Sequence, residues 1–292
     1  MPSPHTKEQQ MDPRLRLINR IKEDFRAGKL KVPSLPEVAF RIRSAIQDQN
    51  KSALQIAKII QLDPVLTARL LQVVNSPLYR GARKIVDCHK AVSRLGFSTT
   101  RNLVSSFAVQ QVFGARNPRV RKTLKSIWRH SSHVAAISYV LGRLTSGIQP
   151  DRALLAGLVH DIGVLPVLQY TEACPEVLHD EAEFIHLVRA LSKKLGTLVL
   201  KAWNMDEELT RIPELIADFD YAPDRAADCA DIVIVAHVHA EYNDAAGSEF
   251  PDLTKIASYR KLPISKMGAD ASLELLEEAR GEVAEIMQMI LH

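Results

Sequence analysis

Apolar positions recur every three to four residues along most of this chain, and almost nowhere do they alternate with polar ones. That spacing predicts amphipathic helices rather than half-buried strands. Residues 1–12 are polar and contain proline, which reads as a tail. Leu15, Ile18 and Ile21 then share one face of a first helix, with charges opposite. The segment KVPSLP breaks the chain before Val38, Ile42 and Ile46 mark a second helix. Ser52 followed by Gln55 has the pattern of a capping box, and Ile56, Ile59 and Ile60 form the stripe behind it. Asp63 suits an N-cap and Pro64 the first helical position, where a missing N–H costs nothing. Leu66, Leu70, Leu71 and Val74 carry that helix to Asn75-Ser76-Pro77, which stops it.

Gly96 reads as the residue that ends a helix through Ala91 to Leu95, and Ser98 as the cap of one holding Leu103, Val104 and Phe107. After Asn117-Pro118 a long helix is predicted through Leu124, Ile127, Ser131, Val134, Ser138 and Leu141. Gly147 to Pro150 is a turn, and Leu154, Leu155, Leu158 and Val159 open a buried helix. Segments near 180–203, 207–219, 225–243 and 271–291 are also helical by pattern. The expected class is all-α, with no strand and no fixed-period repeat.

Composition narrows this further. The 292 residues are 46% hydrophobic but only 5% aromatic, so the core should be aliphatic. The net charge of +4 demands no polyanion, and the basic group Arg14, Arg16, Arg20 and Lys22 suits a solvated helix face. Residues 52–76 look like a helix-turn-helix. The second helix, however, offers only Thr67, Arg69, Gln72 and Asn75 among many aliphatics, which favours a packing unit over a reader of DNA. Cys88, Cys174 and Cys229 are scattered, with no CxxC pair, which fits a reducing cytoplasm. The N-terminus lacks an apolar signal core, and no uninterrupted apolar run approaches the ~20 residues of a membrane span.

Candidate chemistry centres on histidine. His160 is followed directly by Asp161 at the end of an apolar helix, in LLAGLVHDIGVLPVL. Imidazole and carboxylate together can hold a divalent ion, which lowers the pKa of bound water and steadies charge on a phosphoryl oxygen. His130 shares a face with Ile127 and Val134, so it should point inward, as a ligand or as a hydrogen-bonded core residue. His133 lies one turn on and can serve the same site or none. His237 and His239 are two apart on one helix, so at most one should join a shared site.

These features follow an order found in a known family. VPSLPEVAFRIRSAIQDQNKSALQIAKIIQLDPVLTARLLQVVNSPLY resembles the first half of an HDOD domain, through Leu35-Pro36, Asp63-Pro64, Leu66, Leu70 and Asn75-Ser76. AVSRLGF, IWRHSSHVA, LLAGLVHDIG and LGTLVLKAWNM, around Gly196 and Trp203, then follow in the family's order and spacing. The resemblance spans roughly residues 30–245. It implies a tail and helix over 1–29, an HDOD domain over 30–245 and a helical extension over 246–292. The domain would divide into an N-terminal helical half, 30–115, and an HD-like half, 118–245, related to metal-dependent HD phosphohydrolases.

The resemblance also assigns roles. His130 matches the upstream histidine of an HD hydrolase, and His160 with Asp161 matches its dyad. His237 occupies the place of the downstream aspartate; Asp231 lies six residues earlier, about 240° around the helix, and cannot simply substitute. HD-GYP phosphodiesterases carry a lysine after HDIG, further histidines and a GYP signature. Here Val164 follows Gly163, Ser192 stands where a histidine is expected, and DFDYAP replaces the paired histidines. On this count too few donors converge to sustain a hydrolytic centre. The family therefore implies a signalling or regulatory module that binds a partner protein or a small nucleotide-like ligand, with a metal-dependent phosphohydrolase as the alternative. No cofactor is demanded beyond a divalent ion such as manganese, iron, zinc or magnesium. Asn75, Ser76 and His133 are candidates for a ligand groove between the halves, although Asn75 and Ser76 can equally serve only to stop a helix. The apolar stripe Leu273, Leu276, Val283, Ile286 and Ile290 can pair two copies or bury against its own domain.

Overall fold

The computed structural model describes residues 12–48, 50–114, 117–171, 176–177, 181–244, 252–268, 274–275 and 277–291. It is all helix, with no strand among the described residues. Helices α1 (Pro13–Arg26), α2 (Glu37–Gln47), α3 (Ala53–Ile60), α4 (Pro64–Val74) and α5 (Cys88–Gln111) come first. They are followed by α6 (Pro118–Leu144), α7 (Pro150–Val159), α8 (Val164–Thr171), α9 (Glu181–Ala202) and α10 (Glu207–Leu215). The last are α11 (Cys229–Asp244), the short α12 (Ala257–Lys261) and α13 (Arg280–Leu291).

Local signals set the boundaries. Ser52 Oγ accepts from the Gln55 amide while the Ser52 amide donates back to Gln55 Oε1, closing the capping box of α3. Asp63 Oδ1 accepts from the Val65 and Leu66 amides at the start of α4. Gly96, at φ +77°, breaks α5 into two segments, a left-handed conformation that a side chain would strain. Ser98 does not cap the second segment; its hydroxyl donates to Gln149 Oε1 across the interface between the halves at 2.7 Å.

Two cores result. Ile42, Ile56, Ile60, Leu66, Leu70 and Leu103 pack α2 to α5 together. A larger core is built on α6, α7, α9 and α11 and also takes in Leu17 and Ile21 of α1 and Ile286 and Ile290 of α13. The stripe of α13 is thus buried against its own chain, and Arg143 of α6 grips Glu282 through two hydrogen bonds of 2.5 and 2.8 Å. Leu273 and Leu276 of that predicted stripe, and Cys174, lie outside the described residues. The span Pro150–Thr171 is apolar and long enough on average composition to cross a membrane, although Asp151, Arg152, His160 and Asp161 interrupt it. It is α7 and α8 with the dyad turn between them, and 89% of its apolar window is buried inside the bundle.

Buried polar contacts join the halves. Asp151 at the start of α7 accepts a hydrogen bond from the Tyr79 hydroxyl and one of 2.8 Å from Thr99. Trp203 Nε1 donates to the Pro33 carbonyl at 2.6 Å, and Arg43 donates to the carbonyls of Trp203 and Asn204.

Candidate metal centre

The turn His160–Gly163 joins α7 to α8. It lies deep because Gly157 packs against the Ala135 backbone of α6 and Gly163 against the backbone of α9, approaches that leave no room for a Cβ. Three helices aim imidazoles at this turn: His130 from the middle of α6, His160 from the end of α7 and His237 from α11. One ring nitrogen from each lies within 4.8 Å of the others. The ring centroids stand 5.3 to 5.5 Å apart. His130 Nε2 is 3.4 Å from His237 Nδ1. Two nitrogens each ~2.1 Å from one ion at a tetrahedral angle would stand about as far apart.

His160 is the best-defined donor. Its Nδ1 donates to the Gly157 carbonyl at 2.7 Å, which fixes the tautomer and leaves Nε2 as the inward atom. Nε2 is buried and makes no hydrogen bond, although Asp161 Oδ2 lies 3.3 Å away. A bare lone pair facing a carboxylate oxygen requires a positive charge between them, a proton or a metal ion. Without metal, burial disfavours the imidazolium most strongly, but Asp161, the Gly157 carbonyl and the Glu241 charge together outweigh it and hold the His160 pKa above its usual value. Burial pushes Asp161 the other way, yet His160, with His237 and His130, draws its carboxyl well below the ordinary range. The donor set therefore fits a divalent ion: three borderline imidazoles and one hard oxygen, with a buried orphan nitrogen among them.

Of the predicted donors, His130, His160 and His237 come together, and Asp161 stands beside His160. Glu241, one turn beyond His237, places Oε1 3.5 Å from His237 Nε2 and orients that ring. Sequence reasoning missed it; its position four residues from His237 was the available signal. His133 does not join the group. His239 is buried elsewhere, and burial pushes its pKa down to about 4. Asp231 turns away and pairs with Lys261 at 3.4 Å. Asn75 has a structural task. Its Nδ2 donates to the Leu71 and Ile85 carbonyls, and its Oδ1 accepts from the Ile85 amide. Neither Asn75 nor Ser76 lines the polar pocket between the halves, which is bordered instead by Arg43, Arg101, Asn102 and Arg152.

The HDOD domain profile matches residues 32–217, about two thirds of the chain. This protein belongs to the HDOD family. A crystal structure from Shewanella amazonensis SB2B, provisionally named a metal-dependent phosphohydrolase, is 30% identical, with a TM-score of 0.78 over 96% of this chain and 100% of that one. An HDOD domain protein from Geobacter sulfurreducens shares the fold at 24% identity, with a TM-score of 0.66 over 96% of this chain and 98% of that one. An uncharacterized protein of Treponema pallidum is 23% identical over 73% of this HDOD chain, which spans only 43% of that relative's length.

Proposed function

We propose that this HDOD protein is a signal-transduction module that works by binding, with a divalent metal ion held by His130, His160, His237 and Asp161 as part of its binding apparatus. The charge around the centre carries this reading. The groups acting on His160 and Asp161 are the other imidazoles and the Glu241 carboxylate. Val164, buried, stands where the phosphodiesterase relatives place a lysine. Phosphoryl transfer depends on preorganised positive charge at the transferring group. A centre of three imidazoles flanked by Asp161 and Glu241, with a valine in the lysine's place, suits holding an ion better than gripping a phosphate.

A second reading is a metal-dependent phosphohydrolase. It is favoured by the convergence of three imidazoles on the dyad and by the provisional name of the Shewanella relative. When bound, the ion would supply Lewis-acid polarisation of a phosphoryl oxygen. The Gly157 carbonyl would then orient the His160 ring, and Glu241 that of His237.

Elemental mass spectrometry after incubation with manganese, zinc and iron, paired with a generic phosphodiester assay, decides between them. Stoichiometric metal without turnover supports the binding module. Turnover abolished by His160→Ala and Asp161→Ala overturns it in favour of the hydrolase. Failure to take up any metal removes the centre from both.

A further inference from the structure

Between the two halves, away from the imidazoles, lies a cavity of about 210 Å³ that the metal centre does not use. Arg43 of α2 reaches it from one side, and Arg101, Asn102 and Ser105 of α5 from another. Arg152 of α7 and the Asn204–Asp206 loop close it. Arg152 is already paired, with Asp206 and with Glu208 at 3.1 Å. The other two guanidiniums are not. Arg43 is buried and donates only to the Trp203 and Asn204 carbonyls, so several of its N–H donors remain. Arg101 has no hydrogen bond or ion pair among the described residues. Burial lowers the Arg43 pKa, and although Asp206 opposes this, the Arg101 and Arg152 charges lower it further. Like charges are held together here.

Asn102 supplies an independent sign. It is 1% exposed, and neither its Nδ2 nor its Oδ1 has a hydrogen-bond partner. Buried amides are almost always satisfied, so an orphaned one bordering a cavity marks a missing ligand. Asn204 also holds φ at +53°, the only positive value outside glycine among the described residues, and the Arg43 bond to its carbonyl pins it there.

We propose that this cavity is a binding site for a phosphate monoester group, either free phosphate or the phosphate end of a nucleotide. The proposal deepens the reading of the chain as a binding module. Arg43 and Arg101 share only the Asp206 carboxylate at the cavity wall, which Arg152 already holds, so the excess positive charge matches a dianion, whose terminal oxygens accept from several forked N–H groups at once, whereas a carboxylate would neutralise only one. The volume lies below the ~300 Å³ at which cavities begin to enclose drug-sized ligands, so the phosphoryl head enters and the remainder of the molecule stays at the mouth. Because α2 and α5 come from one half and α7 and the Asn204 loop from the other, a bound phosphate clasps the two together.

Calorimetric titration of the full chain with inorganic phosphate, AMP and adenosine, at matched ionic strength, is the test. Phosphate and AMP bind and adenosine does not; AMP the tighter of the two points to a nucleotide, equal affinities to free phosphate. Arg101→Gln, which breaks no hydrogen bond or ion pair among the described residues, weakens binding about tenfold or more. Asn102→Leu weakens it without lowering the melting temperature, since it removes an unpaired amide. Failure of both phosphate and AMP to bind overturns the proposal. So does binding that survives Arg101→Gln but disappears with His160→Ala; that result would move the anion to the metal centre and leave the preceding reading intact.

Discussion

A Cβ on Gly163 would stand 1.8 Å from the Ser192 carbonyl oxygen and 2.4 Å from the Gly196 amide nitrogen. The turn that carries His160 and Asp161 is therefore seated directly on the backbone of α9. Gly163→Ala should cost at least ~1–3 kcal/mol, because backbone and not a flexible side chain blocks the added methyl. It should also displace the dyad. A lower urea midpoint together with lost metal uptake is expected. Gly196→Ala, whose Cβ would meet the Pro213 ring at 2.7 Å and the Gly163 amide nitrogen only at 3.3 Å, should be milder. Equal stability of wild type and Gly163→Ala would show that the turn is not so constrained.

Tyr79 and Asp151 tie the halves in a pH-dependent way. Burial raises the Asp151 pKa, and the hydrogen bonds from Tyr79 and Thr99 pull it partly back. Tyr79→Phe removes a donor to a buried carboxylate and should cost ~1.5–3 kcal/mol at neutral pH. The folded pKa then rises further above the ordinary carboxylate value, so the folded variant keeps its proton over a wider range than the unfolded chain. Its stability accordingly climbs as pH falls towards that value, and the deficit against wild type shrinks. Chemical denaturation at pH 7 and near pH 4.5 checks this; a constant deficit would refute it.

Arg43 holds the Asn204 loop. Arg43→Met leaves the Trp203 and Asn204 carbonyls without their donor and should destabilise the fold by ~1.5–3 kcal/mol. Asn204→Val should cost about 1–2 kcal/mol, since a β-branched residue resists positive φ, while Asn204→Gly should be close to neutral. Thermal melts of the three variants order them.

The thiols of Cys88 and Cys229 should be inert in the folded protein. Both are buried. Burial, aided by the Asp87 charge, pushes Cys88 up to about 11, and burial with the Glu208 carboxylate pushes Cys229 higher still. Little reactive thiolate exists at neutral pH. Iodoacetamide followed by peptide mapping should label neither until denaturant is added.

Much of the fold was legible because it is written locally. Ser52–Gln55, Asp63-Pro64 and Gly96 specify helix ends through their own side chains or backbone freedom, so reading in order suffices. The dyad was legible for the same reason: His160 and Asp161 are neighbours. That His237 and not His239 faces them follows from helical phase, which the spacing could limit but not choose. Arg43, Arg101, Asn102 and Arg152 carry no such signal. They sit on three helices and meet only when the halves pack. Asn75 misled in the opposite sense, because a helix-ending asparagine looks alike whether it faces a groove or, as here, clamps Leu71 and Ile85.

The family-matched segment ends at residue 217, yet His237 arrives twenty residues later and Ile286 later still. The homologous stretch is thus an unfinished building, roofed by α11 and α13 from beyond its border. A fragment of residues 32–217 alone would lack one imidazole of the cluster and lay the flank of α6 open to water, so that the piece resemblance singles out should be stickier than the whole chain and take up metal less well than it.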